Sequence, residues 1–416
     1  MNVLLLGNGF DLYHKLPTKY DNFINTINFL IDNYAPTMET VGEIFGNKEL
    51  QHKDKFIEDC FNQHEQVYKT MAINNDEIEK VITKAKNNKW YNFLCKSFDN
   101  KTSWIDFEKE ISYVVGKFQK LLEIKEYPIK KEHFYSAVGS DGEFVIKNFS
   151  SIIDNSKEAA GVDNNLLLIN KDFLKEYPLA SKNWQLNKEK IIKLLINDFE
   201  EFKSLLIWYL QVFVENSLSG IQSAGVQKLP IICNIDRAIT FNYTSTYEKL
   251  YLDNSIFHVH GKLKEKIVLG INSDYLDDEK PYDTTLVQFK KYFQCAQYGI
   301  DLNFINAIKY INDFDENVSL VVMGHSLDIT DKEIIDELFY KMDEITILFH
   351  NEEAKNMYIE NIIKMLGRYG LTNLRKAKKL SFLSLDMDFT DFNMQREKNT
   401  FEEAIKNMII KNNSNK

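Results

Sequence analysis

The feature that most constrains this chain is its opening, where four apolar residues, Val3 to Leu6, run straight into Gly7-Asn8-Gly9 and an acid, Asp11, follows. Glycine is scarce elsewhere, 16 of 416 residues against an average usage of about 7%, so a glycine that closes an apolar run carries information. The arrangement recurs in HVHGK at 258–262 and VVMGHSLD at 321–328. Each glycine would stand at the C-terminal end of a short strand, the edge at which open α/β sheets bind ligands.

The rest of the chain supplies the other elements. Pro17-Thr18 and Asp21 read as a helix start with a capping box, and Tyr20, Phe23, Ile24, Ile27, Leu30 and Ile31 follow at helical spacing. From about residue 50 to 234, charged and apolar residues mix at helical period, as in Trp104, Phe107, Ile111, Val114 and Phe118 and again in Phe199, Phe202, Leu206, Tyr209 and Phe213. Stretches 136–151 and 159–165 read as loops with room for a short hairpin. Strand-like runs resume at 238–243, 256–259, 267–271, 319–323 and 344–349, with a last one at 380–385, and helical patterns lie at 332–342 and 352–366. Strands separated by helices predict an α/β fold with a parallel sheet covered on both faces. The expected organisation is a Rossmann-like core over 1–50 and 235–390, split after its first strand–helix unit by a mostly helical insertion at 51–234. A C-terminal helix and polar tail follow at 391–416.

Bulk properties exclude several classes. A net charge of −10 argues against general nucleic-acid binding, which needs clustered Lys and Arg. The longest apolar run, 205–214, is far too short to span a bilayer, and the opening run lacks the basic flank of a signal peptide, so a cytoplasmic protein is expected. Cys60, Cys95, Cys233 and Cys295 are too scattered for a zinc motif or a disulfide framework and read as isolated reduced thiols.

Four stretches carry candidate chemistry. Gly7 and Gly9 let the backbone turn and approach a ligand, with Asn8 and Phe10 beside them, but the third glycine of the dinucleotide fingerprint is absent, with Tyr13 in its place. Asp11 would repel a pyrophosphate set against it; it either accepts hydrogen bonds from ribose hydroxyls or caps the next segment. Thr240 and Asn242 end a strand, where the Asn amide serves either a ligand or its own turn. His258 and His260, two apart on a strand, would face one side, with Gly261 leaving an imidazole accessible; the readings are a general base, a metal pair or a structural pair. Gly324, His325 and Ser326 offer backbone and hydroxyl contacts, while Asp328 or Asp331 caps the next helix.

The order GNGFDLYHKLPTKYDNF, WIDFEKEI, TFNYTSTYEKLY, FHVHGKL, IVLGIN and VVMGHSLDITDKEI resembles the bacteriophage abortive infection AbiH family over most of residues 1–350. The same motifs are more remotely similar to sirtuin-like NAD-binding domains. Their first strand ends Gly-Ala-Gly-x-Ser, a later one Thr-x-Asn-x-Asp, and a His-Gly pair and a Gly-Thr-Ser loop complete the site. By position, Gly7 and Gly9 match the first loop, Asn242 the asparagine, His260 the catalytic histidine, and Gly324 and Ser326 the last loop. Asp11, Thr244 and His325 depart from the pattern, standing where it has Ser, Asp and Thr. The resemblance implies an antiphage protein whose core binds NAD or a related nucleotide and hydrolyses it, with Asn242 orienting the water and His260 accepting a proton. No metal is expected. The alternative is a nucleotide sensor without turnover that signals through the insertion to a partner; a phage-derived trigger or a host partner is expected in either case, with self-association left open.

Overall fold

In the computed structural model the described residues are 1–97, 104–123, 129–130, 140–142, 144–152, 168–169, 174–176, 183–225, 228–232, 235–253, 256–272, 284–300 and 317–386. Stretch 159–165, the C-terminal segment at 391–416 and Cys233 lie outside them. The chain divides into two compact units. One comprises 1–14, 218–259 and 302–416, the other 15–217 and 260–301. Helix Tyr20–Asn33, assigned to the core on sequence, thus lies in the second unit, as does 260–272.

The first unit is built on a six-stranded sheet with strands β1 Asn2–Leu6, β2 Arg237–Thr240, β3 Ile256–His258, β4 Ser319–Met323, β5 Glu344–Phe349 and β6 Leu380–Ser384. All neighbours pair in parallel and the order is 3-2-1-4-5-6. Successive side chains of a strand point to opposite faces. Val3 and Leu5 accordingly enter one apolar cluster with Val322, Ile347, Ile335 and Ile362, while Leu4 and Leu6 enter another with Phe10, Ala238, Tyr247 and Met323. Burial on both faces explains why the opening run is continuously apolar.

Local differences from the sequence reading have physical causes. Segment 267–271 is not a strand of this sheet: beyond isolated bridges from Ile267 to Gly261 and from Ile271 to Lys290 it pairs with nothing in strand fashion. Residues 241–243 are not part of β2, which ends at Thr240, because the Asn242 N–H turns onto the Thr240 hydroxyl (3.0 Å). The first long helix starts at Tyr20, and its entry is fixed by the Lys19 N–H donating to Asn22 Oδ1 (2.9 Å) rather than by Thr18 or Asp21.

The second unit is mainly helical in its described residues, with small antiparallel pairings such as Ser151–Ile152 on Leu168–Ile169. Part of 136–151 is helical rather than loop: Ile146–Ser150 forms a π-helical turn. The core here is aromatic: Tyr20 stacks on Phe107 (4.4 Å between centroids), and Trp90 packs on Phe199 (4.9 Å) while its Nε1 donates to the Leu195 carbonyl (3.1 Å). Cys60, Cys95 and Cys295 are free thiols; burial pushes Cys95 up to about 11, which keeps it protonated and unreactive. Among the described residues no helix is long and apolar enough to cross a membrane.

Candidate functional site at the sheet edge

The sheet order reverses direction between β1 and β4, and the loops that follow these two strands meet there. Gly7 N–H donates to the Met323 carbonyl (3.1 Å) and Gly9 N–H to the Gly324 carbonyl (2.9 Å). A side chain has no room at any of the three glycines. A Cβ on Gly7 would lie 2.5 Å from His325 Cα, and one on Gly9 would lie 2.6 Å from Gly324 Cα. Gly324 adopts φ +71°, and a Cβ there would overlap the Phe10 nitrogen. The glycines therefore join two backbones, and the space they leave is filled by protein.

Helix Asn8–Tyr13 leaves this junction with Phe10 in the core against His14, Tyr247 and Tyr251, and with Asn8 half-buried. Asp11, in the first turn, is buried and accepts a hydrogen bond from Thr244 Oγ1 (2.7 Å), which in turn accepts from Thr246 Oγ1 (3.1 Å). Asp11 and Thr244, which stand on different loops, are thus in direct contact.

The loop after β2 is tied to the same place. Phe241 N–H donates to the Leu6 carbonyl (3.0 Å), and Asn242 Nδ2 donates to the Gly7 carbonyl (3.0 Å). His258, the last residue of β3, has Nδ1 3.0 Å from the Asn242 carbonyl and Nε2 3.0 Å from Glu248 Oε1; both side chains are under a tenth exposed. On the β4 side, buried His325 accepts from the Leu327 N–H at Nδ1 (3.1 Å), which leaves Nε2 to carry the proton toward Asp331 (3.5 Å). Asp328 caps the following turn through the Thr330 N–H (3.2 Å), so Asp331 faces histidine rather than capping. The half-buried Ser326 is anchored by its carbonyl, which accepts from Asn361 Nδ2 (2.9 Å).

The sheet unit thus gathers Gly7, Asn8, Gly9, Phe10, Asp11, Thr240, Asn242, Gly324, His325 and Ser326 at one edge. β3 ends at His258, so His258 and His260 do not share a strand face. His260 and Gly261 belong to the second unit, where the buried His260 accepts the Val268 N–H at its carbonyl (2.8 Å) and Gly261 takes φ +75° against Lys266. Among the described residues no three His, Cys, Asp or Glu side chains converge as metal ligands.

The sequence profile of one family, bacteriophage abortive infection AbiH, matches residues 3–351 and takes in all these loops. The chain belongs to that family. No curated protein and no solved structure matches it significantly. Sequence reasoning on this AbiH protein missed the Glu248–His258 couple and the Thr244–Asp11 contact. For the couple a signal was present: Glu248 lies in the helix that follows TFNYT, and His258 ends the adjacent strand. Nothing in the spacing selects Glu248 over the other acids of the chain.

Proposed function

We propose that this AbiH protein serves abortive infection by binding an NAD-class nucleotide at the C-terminal edge of its sheet and, once triggered, hydrolysing the nicotinamide–ribose bond. The observation that carries the reading is the all-parallel order 3-2-1-4-5-6, the order of Rossmann sheets, with the loops after β1, β2 and β4 joined at the switch point where such sheets hold nucleotides. The residues fit the ribose half of the ligand better than its phosphates. The Asn242 amide oxygen accepts a hydrogen bond as a sugar hydroxyl requires, whereas the glycine backbone that would cradle a pyrophosphate is packed against the loop after β4.

In the reaction the C1′–nitrogen bond breaks and its electron pair leaves with nicotinamide, while a water oxygen bonds to C1′ and gives up a proton. Asn242, the counterpart of the sirtuin-like asparagine, orients that water. Incubation of the purified protein with NAD, with nicotinamide followed by chromatography, tests the reading. Asn242→Ala should cut release by about 100-fold with the melting temperature retained; undiminished release would remove Asn242 from the mechanism. A sensor without turnover is favoured by one observation, the hydrogen bond that ties the Asn242 amide nitrogen to the Gly7 carbonyl. Binding of NAD with no nicotinamide release would establish that second reading, with a partner protein as its output.

A further inference from the structure

Asn242 is held on three sides. Its N–H donates to Thr240 Oγ1, its carbonyl faces His258 Nδ1, and its Nδ2 donates to the Gly7 carbonyl, each at 3.0 Å. A carbonyl only accepts, so the amide cannot be turned over, and Oδ1 points away from Gly7. Asn242 is half-buried, and no described residue donates to its Oδ1. This oxygen is a fixed acceptor at the sheet edge.

The fixity comes from His258. Nδ1 must carry a proton to bond the Asn242 carbonyl, and Nε2 shares a second proton with Glu248 Oε1 at 3.0 Å. The ring therefore cannot rotate without breaking two hydrogen bonds in a site where both side chains are under a tenth exposed, and buried polar groups are costly to leave unpaired. Since β3 and the loop after β2 are neighbours in the sheet, the couple ties helix Thr246–Tyr251, β3 and the Asn242 loop to one another.

We propose that His258 and Glu248 are positioning residues: they hold the Asn242 main chain so that its amide stays clamped on Gly7 and presents Oδ1 to the ligand. The inference rests on the nucleotide-binding reading and deepens it. A fixed acceptor selects a group that donates, a ribose hydroxyl or the attacking water, and gains nothing from a phosphate oxygen.

The test titrates ADP-ribose, and analogues lacking the 2′- or 3′-hydroxyl of the terminal ribose, into the wild-type protein, His258→Phe and Glu248→Gln. Phenylalanine keeps the flat buried ring without either nitrogen. The wild type should prefer the full sugar over one deoxy analogue by about tenfold, the worth of one good hydrogen bond. His258→Phe should bind ADP-ribose about tenfold more weakly, with that preference reduced to about twofold or less. Glu248→Gln should shift both in the same direction by less, and it carries the test if the Phe variant melts. Equal weakening of all three ligands, with the preference intact, would mean a structural role only and would overturn the proposal. A second readout needs no ligand: the ¹⁵N side-chain amide signal of Asn242, assigned by its disappearance in Asn242→Asp, should move in His258→Phe, and an unmoved signal overturns the proposal. If the wild type binds no ADP-ribose, the nucleotide reading fails, and the amide signal alone decides the positioning role.

Discussion

In the sheet unit, Gly7, Gly9 and Gly324 bring two backbones closer than a single methyl group would allow, whereas in the helical unit Trp90 sits among Phe149, Phe199 and Phe289 at centroid distances of 4.9–5.7 Å. The contrast teaches where each unit tolerates change. A junction of main chain on main chain has no rotamer to adjust, so an added atom must displace the loop after β1 or the loop after β4. A ring cluster gains its stability from buried area and dispersion, and it loses stability in proportion to the volume removed. The polar groups divide likewise. At the sheet edge they tie loops together, as Thr244 does with Asp11, while in the helical unit buried Lys291 forms an ion pair with Glu108 (2.8 Å).

The comparison would break most visibly at Gly324. Gly324→Val adds a branched side chain at φ +71° against the Phe10 nitrogen, and it should cost on the order of 5 kcal/mol, combining left-handed strain with overpacking. Chemical denaturation would show this as loss of a folded baseline; a shift below about 1 kcal/mol would mean that the two loops are free to separate. Trp90→Ala probes the other unit and should cost about 4 kcal/mol through the cavity left among three phenylalanines. Trp90→Phe should recover about half of that, a rescue that no side chain can offer at Gly324.

Smaller effects sharpen the same contrast. Thr244→Val removes the hydroxyl that donates to buried Asp11 and should cost about 2 kcal/mol, the usual worth of a hydrogen bond to a charged group. An unchanged denaturation midpoint would show that the Asp11 carboxylate does not depend on Thr244. At the gentle end, Gly116 lies inside helix Trp104–Glu123 of the second unit, where a Cβ would meet nothing within 4 Å. Gly116→Ala should therefore stabilise by about 0.5–1 kcal/mol through lost unfolded-state entropy. A loss of stability instead would mean that helical glycines here are as constrained as those at the sheet edge.

Much of the sheet was legible because strands and glycine turns are local signals. The runs that became β1, β4 and β5 match the observed strands, and the last run, 380–385, matches β6 to within a residue. The failure at 267–271 has a plain cause: a short apolar run reads the same whether it pairs in a sheet or only crosses one, and here Val268, Leu269 and Ile271 are buried without strand neighbours. At the site, the sequence pointed to the loops but not to how closely they pack: Gly7 and Gly9 read as room for a ligand, and any Cβ on them would meet Gly324 or His325.

By itself the sequence determined that this chain forms a parallel sheet with glycine-closed strands, that helices dominate the described residues between its first two sheet strands, and that its motifs follow the AbiH order. Each of these is written within a few residues of chain, in periodicity, turn chemistry or motif spacing. Only the tertiary structure decided the strand order, the partition of 15–33 and 260–272 into the second unit, and the pairs that define the site. Asp11 and Thr244 are separated by 233 residues, as His325 is from Asp331 by six and His258 from Glu248 by ten. For the first and last of these pairs the choice is made by which strands lie side by side, and for His325 and Asp331 by the path of the loop after β4.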